Sequence, residues 1–104
     1  MKRYGSVIGA RPEKLEYYRK LHAQPWPEVL DTLRRCNIRN YSIYQFGDRL
    51  FSYFEYIGGD FEADMARMAA DPKTQEWWRE TDPCQFPLVE GEKWVSMPEV
   101  FHMD

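Results

Sequence analysis

The chain has 104 residues, enough for one hydrophobic core and too few for two, so residues 1–104 read as a single domain. It is 43% hydrophobic and 30% charged, an ordinary globular balance, with a formal net charge of −3. The basic residues are dispersed, which argues against nucleic acid, and no apolar run is long enough for a signal segment or a membrane span.

Residues 3–9, RYGSVIG, predict a first strand, β-branched in the middle and punctuated by Gly. Pro12 suits a first helical turn, so a helix is expected from there to about Ala23. Pro25 and Pro27 break it, and Pro27 opens a second helix, PEVLDTLRRC, with Val29, Leu30 and Leu33 as its apolar stripe. Next, IRNYSIYQF and RLFSYFEYI flank Gly47-Asp48, the pattern of a β-hairpin. DFEADMARMAADPKTQEWWRET reads as two helical segments broken at Asp71-Pro72. Asp60 caps the first, which turns Phe61, Met65 and Met68 inward as core. After Thr81-Asp82-Pro83 the chain reads as loop until KWVSMPEVFHM, expected as a last strand whose Pro98 demands an edge or a bulge.

This order, strand, helical pair, hairpin, helical pair, strand, is an α+β ferredoxin-like split βαβ sandwich: an antiparallel sheet with helices on one face. The uncovered face of such a sheet should be polar. Here both strands of the hairpin carry apolar and aromatic residues at both parities, and four Trp, seven Tyr and six Phe exceed the needs of one small core. A second copy is the economical cover, so a homodimer is expected, its two sheets forming a dimeric α/β barrel. Cys36 and Cys84 are isolated, and two reduced thiols in a cytoplasmic protein is preferred over a single disulfide.

Tyr18 and His22 lie one helical turn apart, about 5–6 Å between Cβ atoms, on the face that also holds Leu15. Such a pair is more often packing than chemistry. Three features favour a site. Trp77 and Trp78 are adjacent on a helix, so their directions diverge by about 100° and they cannot share one core face. Asn40 and Tyr41 place an amide and a phenol side by side on a strand. The sequence has no metal-ligand set, no nucleophile beside a base and no Gly-rich phosphate loop. An inward His, Tyr hydroxyls, an Asn and Trp faces suit a neutral, hydroxyl-rich molecule.

EYYRKLHAQPWPEV, NYSIY, QEWWRETD and the terminal EVFHMD, in this order and spacing, resemble the L-rhamnose mutarotase family over nearly the whole chain. The resemblance implies a dimeric ferredoxin-like protein that interconverts the anomers of a 6-deoxy-hexose without a cofactor. It implies that His22 is the proton donor and that Tyr18, Tyr41, Trp77 and Trp78 line the sugar, with Asn40 and Trp26-Pro27-Glu28 in support. The loop ETDPCQFPLVEGEKW departs from the Asn-Pro-Asp-Asn-Ser-Pro-like stretch of rhamnose-type members. It lies where it could reach the sugar, so L-rhamnose and L-fucose both stay open.

Anomer exchange needs the ring oxygen to gain a proton and the anomeric hydroxyl to lose one, and His titrates where a group can do both near neutrality. The same pocket would also serve a non-catalytic sugar- or metabolite-binding module, or a small dimeric ferredoxin-like oxygenase, cofactor-free or haem-using. His102 and Asp82 read first as structural, with a second proton carrier and a hydroxyl ligand as their functional readings. Glu13, Glu16, Arg19 and Lys20 form a solvated helix face.

Overall fold

The helix boundaries expected at Pro27, Asp60 and Asp71-Pro72 are present in the computed structural model, which describes residues 1–104. The elements run β1 (Lys2–Ala10), α1 (Leu15–Ala23), α2 (Pro27–Arg35), β2 (Ile38–Phe46), β3 (Arg49–Tyr56), α3 (Phe61–Ala70), α4 (Pro72–Thr81), β4 (Gln85–Phe86) and β5 (Val95–Met97). Pro12–Lys14 form a separate 3₁₀ turn ahead of α1, so the first helix begins three residues later than the proline implies. Asp60 caps α3 by accepting from the Ala63 amide at 3.1 Å. Asp71 ends α3 and caps α4 at once, accepting from the Thr74 amide at 2.9 Å and its hydroxyl at 3.0 Å.

The sheet has the order β2-β3-β1-β4, with β5 also paired to β1, and every pairing is antiparallel. This is the split βαβ arrangement, β3 filling the gap between β1 and β2. The hairpin turns at Gly47, whose φ of 57° is the left-handed conformation such a turn requires and glycine adopts freely. The expected last strand, 93–103, shrinks to Val95–Met97, because Pro98 has no amide to donate and the ladder stops before it. A two-residue strand not anticipated from the sequence, β4, joins the same edge. Its Phe86 lies flat on Gly9, where any Cβ would come within 2.5 Å of the ring, and the alternate residue, Gln85, therefore faces the helices.

The blurred alternation of the hairpin has a structural cause. β2 pairs Arg39 with Glu55 and Ser42 with Tyr53, which leaves Asn40 and Tyr41 together opposite Phe54. That is a β-bulge, and Asn40 takes the left-handed conformation within it, φ 50°. Parity changes at the bulge, so Ile38 before it and Tyr41 and Ile43 after it all face the helices.

Two core clusters hold the layers together. One joins Ile8, Ala10, Tyr18, Leu50 and Cys84; the other joins Cys36, Ile38, Tyr56 and Met68, with Phe61 and Met65 against it. Between them, on β1 and β3, the inner face of the sheet carries Ser6 and Ser52, hydroxyls 2.6 Å apart. Asp64 pins α3 to the sheet by accepting from the Tyr56 hydroxyl at 2.5 Å, Asn37 Nδ2 at 2.9 Å and Arg67 at 2.7 Å. These bonds, Tyr56 foremost, hold its carboxyl down to a pKa of about 2. Both cysteines are free and buried, one in each cluster. No helix is long and apolar enough to cross a membrane.

The opposite face of the sheet has no helix over it. By register it presents Val7, Phe51, Tyr53, Val95 and Met97, with Tyr44 67% and Phe46 80% exposed.

Candidate active site

A cleft of about 320 Å³ opens between the helices and the inner face of the sheet, within the size range of small-molecule sites. α1 supplies Tyr18 and His22, the bulge in β2 supplies Tyr41, and α4 supplies Trp77 and Trp78. Ile43, Phe54, Met65 and Met68 form an apolar wall, so two of the core methionines also border the cleft. A second hollow of about 530 Å³ adjoins it on the α1–β2 side and shares Tyr18, His22, Tyr41 and Trp77 with it, together with the apolar Val29, Leu33 and Ile43. These seven side chains border both spaces.

His22 is held on three sides. Its ring stacks on Tyr18 at 4.1 Å and meets the edge of Trp77 at 5.1 Å, and Trp77 in turn meets Trp26 at 5.1 Å. Its Nδ1 lies 2.8 Å from the Tyr18 carbonyl. A carbonyl can only accept, so Nδ1 carries the proton and Nε2 is left with a free lone pair. Burial lowers the His22 pKa, against a smaller opposing effect of that backbone bond, so the ring is neutral around pH 7. The site thus offers a fixed, unprotonated Nε2, the form of imidazole that takes a proton.

The phenols are the reverse case. Burial raises the pKa of Tyr18 strongly and that of Tyr41 as well, so both stay protonated and serve as hydrogen-bond donors. Tyr41 is 43% exposed as a residue, since it sits on the free edge of the sheet, yet its hydroxyl is withdrawn into the cleft. Gln85 Nε2 donates to the Tyr18 hydroxyl at 3.3 Å, which occupies an acceptor lone pair and leaves the hydroxyl proton free for a ligand.

Five of the six expected site residues meet here, and Asn40 is the exception. It is exposed and faces away from the cleft, its Nδ2 donating to Glu55 Oε1 at 2.6 Å. The left-handed bulge conformation aims its neighbour, not itself, at the cleft. Trp77 and Trp78 divide as their divergent directions require: Trp77, 7% exposed, braces His22, while Trp78 is half-buried on the cleft wall. The divergent loop does reach the cleft, bringing Asp82, Gln85, Lys93 and Trp94. Asp82 and Lys93 form an ion pair of 2.8 Å at its rim. His102 lies elsewhere, bonded to Asp104 at 2.8 Å. Gln85 carries no signal in the sequence, because a two-residue strand leaves no periodicity to read.

A family model described as L-rhamnose mutarotase matches residues 3–103. The chain belongs to the L-rhamnose mutarotase family. The L-rhamnose mutarotase of Oceanobacillus iheyensis is 32% identical and that of Phocaeicola vulgatus 33%, with the whole of this chain and of each relative covered. Among solved structures, L-rhamnose mutarotase from Formosa agariphila superposes with a TM-score of 0.79 at 20% identity over all of both chains. Tetracenomycin F2 cyclase from Streptomyces glaucescens follows at 0.73 and 15%, covering all of this chain and 98% of the cyclase. These two likenesses establish the fold, and the cyclase shows that it hosts other chemistry. Membership of the mutarotase family makes this chain a sugar mutarotase, a carbohydrate isomerase, and sets aside the binding-module and oxygenase readings.

Proposed function

We propose that the chain interconverts the α and β anomers of L-rhamnose, with His22 as the group that moves the proton. The observation that carries this reading is the imidazole itself: neutral, tautomer fixed by the Tyr18 carbonyl, with Nε2 free among two phenol donors and two indoles.

Ring opening can run through one nitrogen, because the anomeric oxygen and the ring oxygen are bonded to the same carbon. Nε2 takes the proton of the anomeric hydroxyl, and that oxygen becomes a carbonyl as the C1–O5 bond breaks. The imidazolium then returns its proton to the departing ring oxygen, which is the donor role that the resemblance implies. Rotation about C1–C2 exposes the other face of the aldehyde, and the same steps in reverse close the ring. Tyr18 and Tyr41 donate to sugar oxygens, and Trp78 covers an apolar face of the deoxy sugar. Positioned proton transfer of this kind contributes typically about 10²–10⁴-fold, ample for a reaction that water already performs slowly.

L-Rhamnose is favoured over L-fucose by the names of the relatives that match this chain from end to end. We further propose a homodimer, supported by the apolar, helix-free face of the sheet and by the exposure of Phe46 and Tyr44. Saturation-transfer NMR over a panel of reducing sugars tests the activity: anomer exchange should accelerate most for L-rhamnose, and no acceleration for any 6-deoxy-hexose would overturn the reading. Sedimentation tests the assembly, and a stable monomer at micromolar concentration would remove it.

A further inference from the structure

We infer that Glu55 and Asn40, on the far side of the sheet from the cleft, form a positioning device for Tyr41. This deepens the mutarotase reading and rests on it.

The device follows from counting. Between Ile38 and Phe46 β2 advances eight residues, while the paired segment of β3, Arg49 to Tyr56, advances seven. One residue of β2 must therefore loop out, and which one it is decides the face of its neighbours. Asn40 is that residue. Its left-handed φ of 50° is a conformation that asparagine tolerates better than other residues bearing a Cβ.

Its side chain is tied down on the outer face. Nδ2 donates to Glu55 Oε1 at 2.6 Å, and the other carboxylate oxygen accepts from the Tyr53 hydroxyl at 2.7 Å. Glu55 is thus clamped by a neighbour on its own strand and clamps the bulge in turn. Both bonds favour the ionised carboxylate, Asn40 more than Tyr53, and hold its pKa below the usual range. On the inner face the consequence is that Tyr41 projects into the cleft, edge-on to Phe54 at 5.7 Å. Were the bulge to slip along β2, the side chain of Tyr41 would turn to the open face and the site would lose one of its two phenol donors.

The test uses the full chain as Glu55→Ala and Glu55→Gln, with Tyr41→Phe as the reference for a lost hydroxyl. A 3-fluorotyrosine resonance assigned to Tyr41 reports its place against the Phe54 ring without any sugar present. Anomer exchange of L-rhamnose gives KM and kcat separately, at a concentration where sedimentation matches the unmodified protein. Glu55→Ala should shift or broaden the Tyr41 resonance and raise KM by about tenfold, the scale of one ligand hydrogen bond, with a smaller change in kcat. Glu55→Gln keeps an acceptor for Asn40 and should restore most of both. An unmoved Tyr41 resonance in Glu55→Ala overturns the proposal. So does a moved resonance with unchanged KM, which would confine the pair to strand register. If the unmodified protein exchanges no sugar, the function reading fails instead, and the resonance still reports on the pair.

Discussion

His22→Asn separates chemistry from packing at the centre of the site. The asparagine amide nitrogen and the imidazole Nδ1 are both bonded to Cγ, so the variant can keep the 2.8 Å bond to the Tyr18 carbonyl while losing Nε2 altogether. Two ring contacts also go, to Tyr18 at 4.1 Å and to Trp77 at 5.1 Å. Aromatic pairs contribute about 0.5–1.5 kcal/mol each, so stability should fall by about 1–3 kcal/mol. At about 4–8 °C per kcal/mol for a chain of this size, that lowers Tm by roughly 4–24 °C and leaves the variant folded at 25 °C. Exchange should fall far more, roughly 10²–10⁴-fold, while sugar affinity, held by the phenols and Trp78, changes little. The assay pairs thermal unfolding with saturation-transfer NMR on one sample. A variant that is destabilised yet exchanges anomers at full rate per folded molecule would refute the assignment of Nε2 as the proton carrier.

The pH profile carries a sign. On the proposed mechanism the basic form of His22 takes the proton, and burial lowers its pKa, so exchange should be flat through neutrality and fall as pH drops through a midpoint below 6.5; a midpoint at or above 6.5 would contradict a buried base. Trp77→Phe should cost about 1–3 kcal/mol of stability, since the indole braces His22 and Trp26, whereas Trp78→Phe should mainly weaken sugar binding; equal effects in both assays would show the doublet to be packing alone. In the folded chain the Asp64 carboxyl has a pKa of about 2, against 3.8 for the free side chain, so its stabilisation is present above 3.8 and is lost as pH falls from there towards 2. Asp64→Asn should flatten that part of an acid-unfolding curve and lower stability at pH 7, and an unchanged curve would show that the three bonds to Asp64 contribute nothing.

The helices were legible because their limits are set by local chemistry. Pro27 opens α2, Asp60 and Asp71 accept from backbone amides, and none of these needs a tertiary partner to be foreseen. Tyr18 and His22 were legible for the same reason, since helical spacing alone places them on one face. The bulge was not, because period-two reading assumes one residue per pleat and Asn40 breaks that assumption; the loss of alternation along IRNYSIYQF was its only trace. Part of what looked like two covered faces in β2 is this change of parity. β3 has no such excuse, and its Phe51 and Tyr53 do face the uncovered side. Gln85 depends on long-range pairing with β1, for which the sequence carries no local signal. The early end of the last strand follows from Pro98, whose missing amide was legible but whose effect on the strand's length was not.

The bulge at Asn40 has one more effect, through where β2 lies. β2 is the free edge of the sheet, bonded to β3 alone, and the outer side of an edge strand offers a row of unpaired amides and carbonyls to any extended chain that arrives. A flat nine-residue edge rich in Ile, Tyr and Phe would be a good template for strand addition between molecules. A left-handed residue in its third position breaks the row near one end and increases the local twist, so an incoming strand cannot stay in register along the full length. The residue that turns a phenol into the cleft thereby also makes this edge a poorer template for self-association.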